Sequence, residues 1–302
     1  MDPGTLPPAL TGRPFTVSSA RANGLTWKAL QGGTFTSPHR GLYALAAREV
    51  SEHALVSSVL ATLPPGTVAT GVTGLRLAGV EIGKSSPLCF LTTYPRQVRR
   101  RGIRVTRVSV LPPCRGESAV PEHCWMVAAL ELNLLELVIA GDWLIRLKLA
   151  TPESLAAYVN SSGSRGRAAA RPALALVRER VDSPRETWLR LCLILSGLPE
   201  PTCNPTIQGI RLSGRVDLLY VGFRVIIEYE GDQHRADRRQ WNRDIERAED
   251  FTGAGFVIIR VTAEQARYPR VVVRRVHAAI RAEGYSGPDP VFDQRWMELF
   301  ER

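Results

Sequence analysis

Lysine is almost missing from this chain: of its 39 basic residues only Lys28, Lys84 and Lys148 are lysines, and none follows Lys148. Any chemistry that needs an ε-amino group as base or nucleophile is therefore excluded from the C-terminal half. The wealth of arginine reads as the bias of a GC-rich genome. Cysteine is scarce too. The five thiols, Cys89, Cys114, Cys124, Cys192 and Cys203, are odd in number and show no C-x-x-C spacing, which excludes a disulfide framework and a thiolate zinc site and suits a reduced compartment. Long apolar runs are lacking as well. The best candidate, Met126 to Ala140, is interrupted by Glu131, Asn133 and Glu136, and the start Met1-Asp2-Pro3-Gly4 has no basic segment leading into an apolar one. A soluble, cytoplasmic, nucleoid-associated protein with no membrane partner is expected.

What is present begins with charge. The net charge of +10 over 302 residues divides into +6 up to Asn160 and +4 beyond it, as a polyanion-binding protein would have. That length suits two or three domains. Two stretches rich in residues that interrupt regular structure, Leu63-Pro64-Pro65-Gly66 and Asn160 to Gly166, mark the joints. They give the pieces 1–64, 65–162 and 163–287, followed by a tail, 288–302, that no pattern places.

In the first piece Phe15 to Gly24 reads as a short helix closed by Gly24, and Thr26 caps a second helix ending near Gly33. Gly41-Leu42-Tyr43-Ala44-Leu45 reads as a strand, so the order is helix, turn, helix, β-wing. The run from Phe15 to Leu45 resembles the N-terminal winged helix of AbiEi-type antitoxins, which implies promoter-DNA binding. The resemblance continues through Ala69 to Val80, where this chain has Gly71 and Gly74 in place of the more usual His-x-Ser-Ala-Ala. Arg96, Arg99, Arg100, Arg101, Arg104 and Arg107 then surround a strand-like Ile103 to Val110. Either this is a solvated basic hairpin, or its guanidinium forks contact DNA phosphates.

The third piece carries the chemistry. Ser183-Pro184-Arg185-Glu186 opens an amphipathic helix that Gly197 ends. Ser183 and Glu186 also fit a capping box, which is a structural role for Glu186. Arg215 to Val221 and Arg224 to Glu230 read as two strands of a hairpin joined at Gly222-Phe223. Alternation puts Ile226, Glu228 and Glu230 on one face, with Asp217 on the adjoining strand directed at the same place. Carboxylates gathered on apolar strands repel one another, and a hard divalent cation, Mg2+ or Mn2+, resolves that repulsion. A polar helix from Asp237 to Phe251, in which Asp244 and Arg247 form an i,i+3 pair, a buried strand Phe256 to Val261 and a last helix Tyr268 to Glu283 complete the unit.

Glu186, Asp217 and Glu228-x-Glu230 resemble the PD-(D/E)xK nuclease core. The wider set, including Glu228-Tyr229-Glu230-Gly231-Asp232-Gln233-His234, Arg243-Asp244, Arg247 and Phe256 to Thr262, is similar to a bacterial family with a Vsr-like endonuclease domain. This implies an αβββαβ restriction-endonuclease-like core, with Glu186, Asp217 and Glu228 as metal ligands. Glu230 stands where the superfamily has lysine, and His234 is the substitute that could position or deprotonate water. Gln233 and Arg238 are weaker candidates for phosphate contacts. The chain is thus expected to be an α/β (α+β) protein: a winged helix, a middle antitoxin-like domain with a basic hairpin, and a nuclease domain. The function expected is that of a Mg2+- or Mn2+-dependent DNA endonuclease or nickase in repair or phage defence. The alternative is a non-catalytic antitoxin-like repressor. Toxin or repair partners and oligomeric state are not specified by the sequence.

Overall fold

A computed structural model describes residues 6–230 and 238–301. The mixed α/β character is as expected, and among the described residues no helix is long and apolar enough to cross a membrane. Contacts gather the chain into two compact units, Met1–Leu132 with Ser154–Arg171, and Asn133–Glu153 with Pro172–Arg302. The turn at Leu63 to Gly66 therefore lies inside the first unit, and Asn133–Glu153, which the sequence assigns to a middle piece, groups with the C-terminal unit.

The first unit opens with α1 (Pro8–Thr11), β1 (Phe15–Thr16), α2 (Val17–Ala22), α3 (Trp27–Leu30), β2 (Phe35–His39) and β3 (Leu42–Leu45). Thr16 and Thr26 cap the two helices, their hydroxyl oxygens accepting from Ser19 N at 3.1 Å and Ala29 N at 3.2 Å. Gly24, at φ +81°, supplies the left-handed turn between them. The strands pair antiparallel in the order β1-β3-β2 over a core that includes Leu10, Phe15, Leu30, Phe35 and Tyr43.

Then follow α4 (Glu52–Leu60), β4 (Val68–Ala69), α5 (Gly71–Leu77), β5 (Leu88–Thr92), β6 (Ile103–Arg107), β7 (Cys114–Arg115), β8 (Ser118–Ala119) and α6 (Pro121–Ala128), with a sheet ordered β6-β5-β4-β8-β7. The arginine-rich segment is not the expected basic hairpin. β5 and β6 run parallel, from Leu88↔Ile103 to Thr92↔Arg107, so Arg96 to Arg101 lie on a crossover between parallel strands. The two glycines of α5 have a packing reason. A Cβ on Gly74 would stand 2.3 Å from Cys124 Sγ, so a larger residue there would push α5 off α6, whereas Gly71, at φ +54°, has a backbone conformation that residues with side chains rarely adopt.

The second unit begins with α7 (Leu134–Arg146), opened by a true capping box in which Asn133 and Glu136 exchange bonds of 2.9 Å. Two helices, α8 (Pro152–Ser161) and α9 (Gly166–Leu174), cross the boundary between the units. Next come α10 (Pro184–Ile194), β9 (Thr202–Cys203), β10 (Thr206–Gln208), β11 (Ser213–Arg215), β12 (Leu218–Tyr220), β13 (Val225–Glu230), α11 (Arg238–Gly253), β14 (Val257–Thr262), α12 (Pro269–Ala282) and α13 (Gln294–Phe300). The expected Arg215 to Val221 strand is divided, β11 ending at Arg215 and β12 starting at Leu218; between them Val216 N donates to Pro205 O and Asp217 O accepts from Asn204 N at 2.7 Å. The main sheet has the order β14-β13-β12-β9, with β12 antiparallel and β14 parallel to β13.

β13 is central, and its Val225, Ile226 and Ile227 are fully buried. One face carries Leu219 and Ile226 against Phe251 of α11, and α10 and α12 contact β13 as well. The tail left unplaced by the sequence is part of this core: Trp296 of α13 is buried and its indole Nε1 donates to Cys192 O of α10 at 2.9 Å.

A buried ion pair holds α7 to α10. Asp142 Oδ2 accepts from Arg190 Nη2 at 2.8 Å and from Thr187 Oγ1 at 2.9 Å, while Oδ1 accepts from Arg178 N at 2.7 Å. Removing one partner strands a charge inside the protein. Asp142→Ala should therefore cost about 3–5 kcal/mol in urea denaturation, and Asp142→Leu combined with Arg190→Met should recover most of it. A loss below about 1 kcal/mol for the single variant would contradict this account.

Candidate active site

The strand register brings the acidic residues together. The pairing of β12 with β13 ends at Leu218↔Ile227, so Asp217 stands one step on, opposite Glu228. Residues opposite each other across antiparallel strands share a face. Tyr229 N donates to Asp217 Oδ2 at 2.8 Å and fixes that carboxylate across the strand gap. Glu186 arrives from the first turn of α10. Its Oε2 accepts from Asp182 N at 2.9 Å and from Asn204 Nδ2 at 2.5 Å.

The capping box at this helix is only half made. Ser183 Oγ accepts from Glu186 N at 3.2 Å, but the glutamate reaches back past the cap to Asp182 N, one residue beyond the Ser183 N that would close the box. Glu186 thereby lies buried beside Asn204. Asn204 links two of the acids, since its side chain donates to Glu186 while its backbone N donates to Asp217 O. Asn204 sits at φ +47°, a conformation that asparagine tolerates better than most residues.

These placements have an electrostatic consequence. Burial, followed by the charges of Glu186 and Glu228, raises the Asp217 carboxyl to a pKa of about 6, against the opposing bond from Tyr229 N and the charge of Arg247. Burial also raises Glu228, opposed by Arg247 and Arg260.

Two guanidinium groups that the sequence reading did not assign to the site serve as counter-charges. Arg247 Nη2 lies 3.1 Å from Glu228 Oε1, its Nη1 donates to Arg215 O at 3.0 Å, and the expected Asp244 pair is longer at 3.9 Å. Arg260, beside Glu228 in the parallel register, places Nε 3.3 Å from Glu230 Oε1 and 3.9 Å from Glu228 Oε2. Among the described residues no three His, Cys, Asp or Glu side chains are drawn together as a ready-made metal group. The donor set itself is all carboxylate, as a hard cation requires. Among the described residues Glu186 accepts its hydrogen bonds on Oε2 and Asp217 its side-chain bond on Oδ2, so Glu186 Oε1 and Asp217 Oδ1 are the oxygens suited to a cation, whereas Glu228 would exchange guanidinium contacts for it.

Gln233 and His234 lie outside the described residues, as does the side chain of Arg238. In the first unit Arg96, Arg99, Arg101 and Arg104 are exposed, and Arg104 pairs with Glu131 at 2.8 Å. Arg100 is turned inward, donating to Thr62 Oγ1 and, at 3.4 Å, to Arg40 O. A shallow cavity of about 420 Å³ opens between Arg99, Arg101 and Arg104. Compared with family models, with curated proteins and with solved structures, the chain gives no match.

The raised Asp217 carboxyl makes a stability prediction with a definite sign. From about pH 4, where this carboxyl titrates in the unfolded chain, up to about pH 6, the folded state holds a proton that the unfolded state does not. Stability therefore falls as pH rises through that window, and the full cost is present above it. Asp217→Asn, which keeps an oxygen for Tyr229 N, should stabilise the metal-free protein by about 2 kcal/mol at pH 8 and by almost nothing at pH 4. Denaturant titrations in EDTA at the two pH values measure this. Equal destabilisation at both would count against it.

Proposed function

We propose that the C-terminal unit is a metal-dependent DNA nuclease with a PD-(D/E)xK, restriction-endonuclease-like core. The observation that carries this reading is Asp217 opposite Glu228 across β12 and β13, with a carboxyl driven upward by burial and by Glu186 and Glu228. The order α10-β9-β12-β13-α11-β14 supports it as the αβββαβ core that the sequence resemblance implies. Glu186, Asp217 and Glu228 would hold Mg2+ or Mn2+, which polarises a phosphate and lowers the pKa of a bound water.

The protein's own groups orient the reaction. Asn204 fixes Glu186, and Tyr229 N fixes Asp217. Arg247 and Arg260 supply the positive charge that the superfamily draws from lysine, so Glu230 in the lysine position is balanced from β14. Charge near the scissile phosphate stabilises the extra negative charge of the transition state. A guanidinium is a fixed cation, so proton transfer falls to other groups, with His234 as the candidate. In the first unit, the helix pair α2 and α3 followed by the β2–β3 hairpin is the winged-helix element, and the arginine-rich crossover after β5 is a surface for DNA phosphates. The protein acts in the cytoplasm on DNA, in repair or phage defence.

One observation favours a second reading, a non-catalytic antitoxin-like repressor. Glu228 is already engaged by two guanidinium groups, as it would be in a site that has given up its metal.

Purified protein should cut supercoiled and mismatched DNA with Mg2+ or Mn2+, and Asp217→Ala and Glu228→Ala should each slow cleavage by at least about a hundredfold with the fold retained. Arg247→Ala should reduce the rate by about tenfold to a hundredfold, and Arg247→Lys should restore part of it. No product with any divalent ion, together with a specific mobility shift on its own promoter, would establish the repressor instead.

A further inference from the structure

A cavity of about 420 Å³ adjoins the carboxylates on the outer edge of β14, lined by Arg260, Arg275, Thr252, Thr262 and Gln265 over an apolar floor at Ile258. β14 is an edge strand of the sheet, and its parallel register sets Arg260 beside Glu228 and Thr262 beside Glu230. Residues side by side in adjacent strands project to the same face, so the cavity is next to the acidic cluster. Among the described residues no carboxylate lines it.

The two arginines stand differently. Arg260 turns its Nε to Glu230 and Glu228, and among the described residues nothing takes its terminal nitrogens. Arg275, exposed on α12, bonds only to neutral acceptors, donating from Nη1 to Gln265 Oε1 at 3.2 Å and from Nη2 to Arg260 O at 3.4 Å. It has no acidic partner among the described residues. These bonds brace a cation over the cavity with two threonines and a glutamine around it, a donor set that suits phosphate oxygens.

We propose that this cavity is a subsite for one backbone phosphate of nucleic acid, adjacent to the phosphodiester held at the acidic cluster, with Arg275 as its principal contact. The proposal rests on the nuclease reading for its ligand, and the experiment separates the two. Binding of a fluorescein-labelled DNA duplex to the full-length protein is followed by anisotropy in EDTA across a salt series, so that nothing is cut and no ion is needed.

Arg275→Gln should weaken binding roughly tenfold near ~0.1 M salt and reduce the slope of log K against log salt by about one, the signature of one lost phosphate contact. Arg275→Lys should restore the slope. Arg267→Gln removes an equal charge from a nearby exposed position outside the cavity and should leave the slope unchanged. Equal losses in Arg275→Gln and Arg267→Gln would reduce the effect to diffuse charge and overturn the subsite. So would an unchanged slope in Arg275→Gln, no duplex binding by the native protein, or displacement of duplex by low-millimolar inorganic phosphate that requires Arg275, which would mark a free-anion site. Failure of cleavage with every divalent ion bears on the nuclease reading alone, because the binding measurement contains no metal.

Discussion

Carboxylates that cannot move apart dominate the C-terminal unit. Asp217 is set opposite Glu228 by the pairing of β12 with β13, and Glu186 is brought to the same region by its bonds to Asp182 N and Asn204. Separating these charges would break strand pairing or uncap α10. The protein instead answers with proximity of a different kind: Arg247 from α11 and Arg260 from β14 both reach Glu228, and Asp217 is left with a backbone N–H as its closest donor. One acid is thus balanced and another is not. That asymmetry is the feature a cation or a proton would complete, and the functional reading rests on it.

The surroundings are built to keep this arrangement in place. The pair Asp142–Arg190, with Thr187 sharing the same carboxylate oxygen, anchors the turn of α10 next to Glu186 to α7. Trp296 closes over the same helix from the tail. Below the acids, Leu219 and Ile226 pack against Phe251, which also fixes α11 and hence Arg247. Packing and charge placement therefore share the same elements, so a change in the core of this unit is expected to be felt at the acidic cluster.

Much of this was legible in the residues. The Ser183-Pro184 start of α10, the alternation of Ile226, Glu228 and Glu230, and the hairpin that faces Asp217 to Glu228 follow from capping and a period of two, both local properties. What was hidden depends on distant partners. Arg247 lies 19 residues from Glu228, and at i,i+3 from Asp244 it looks like an ordinary helix pair until α11 is laid on the sheet. Arg260 is an unremarked interruption of an apolar strand until the parallel register sets it beside Glu228. Parallel pairing of β5 with β6 was equally invisible, because strand patterns do not reveal direction, and the segment read as a hairpin. Gly74 was a departure from the sequence usual at that helix, and the close approach of Cys124 explains it.

The most direct test of the central claim is a carbon-detected NMR pH titration of the Asp217 carboxyl, assigned by comparison with Asp217→Asn, in EDTA and again with Mg2+. The account predicts an apparent pKa of about 6 without the ion and a fall of at least about one unit when Mg2+ is added. A carboxyl that titrates below about pH 4 in EDTA and does not respond to Mg2+ would contradict it.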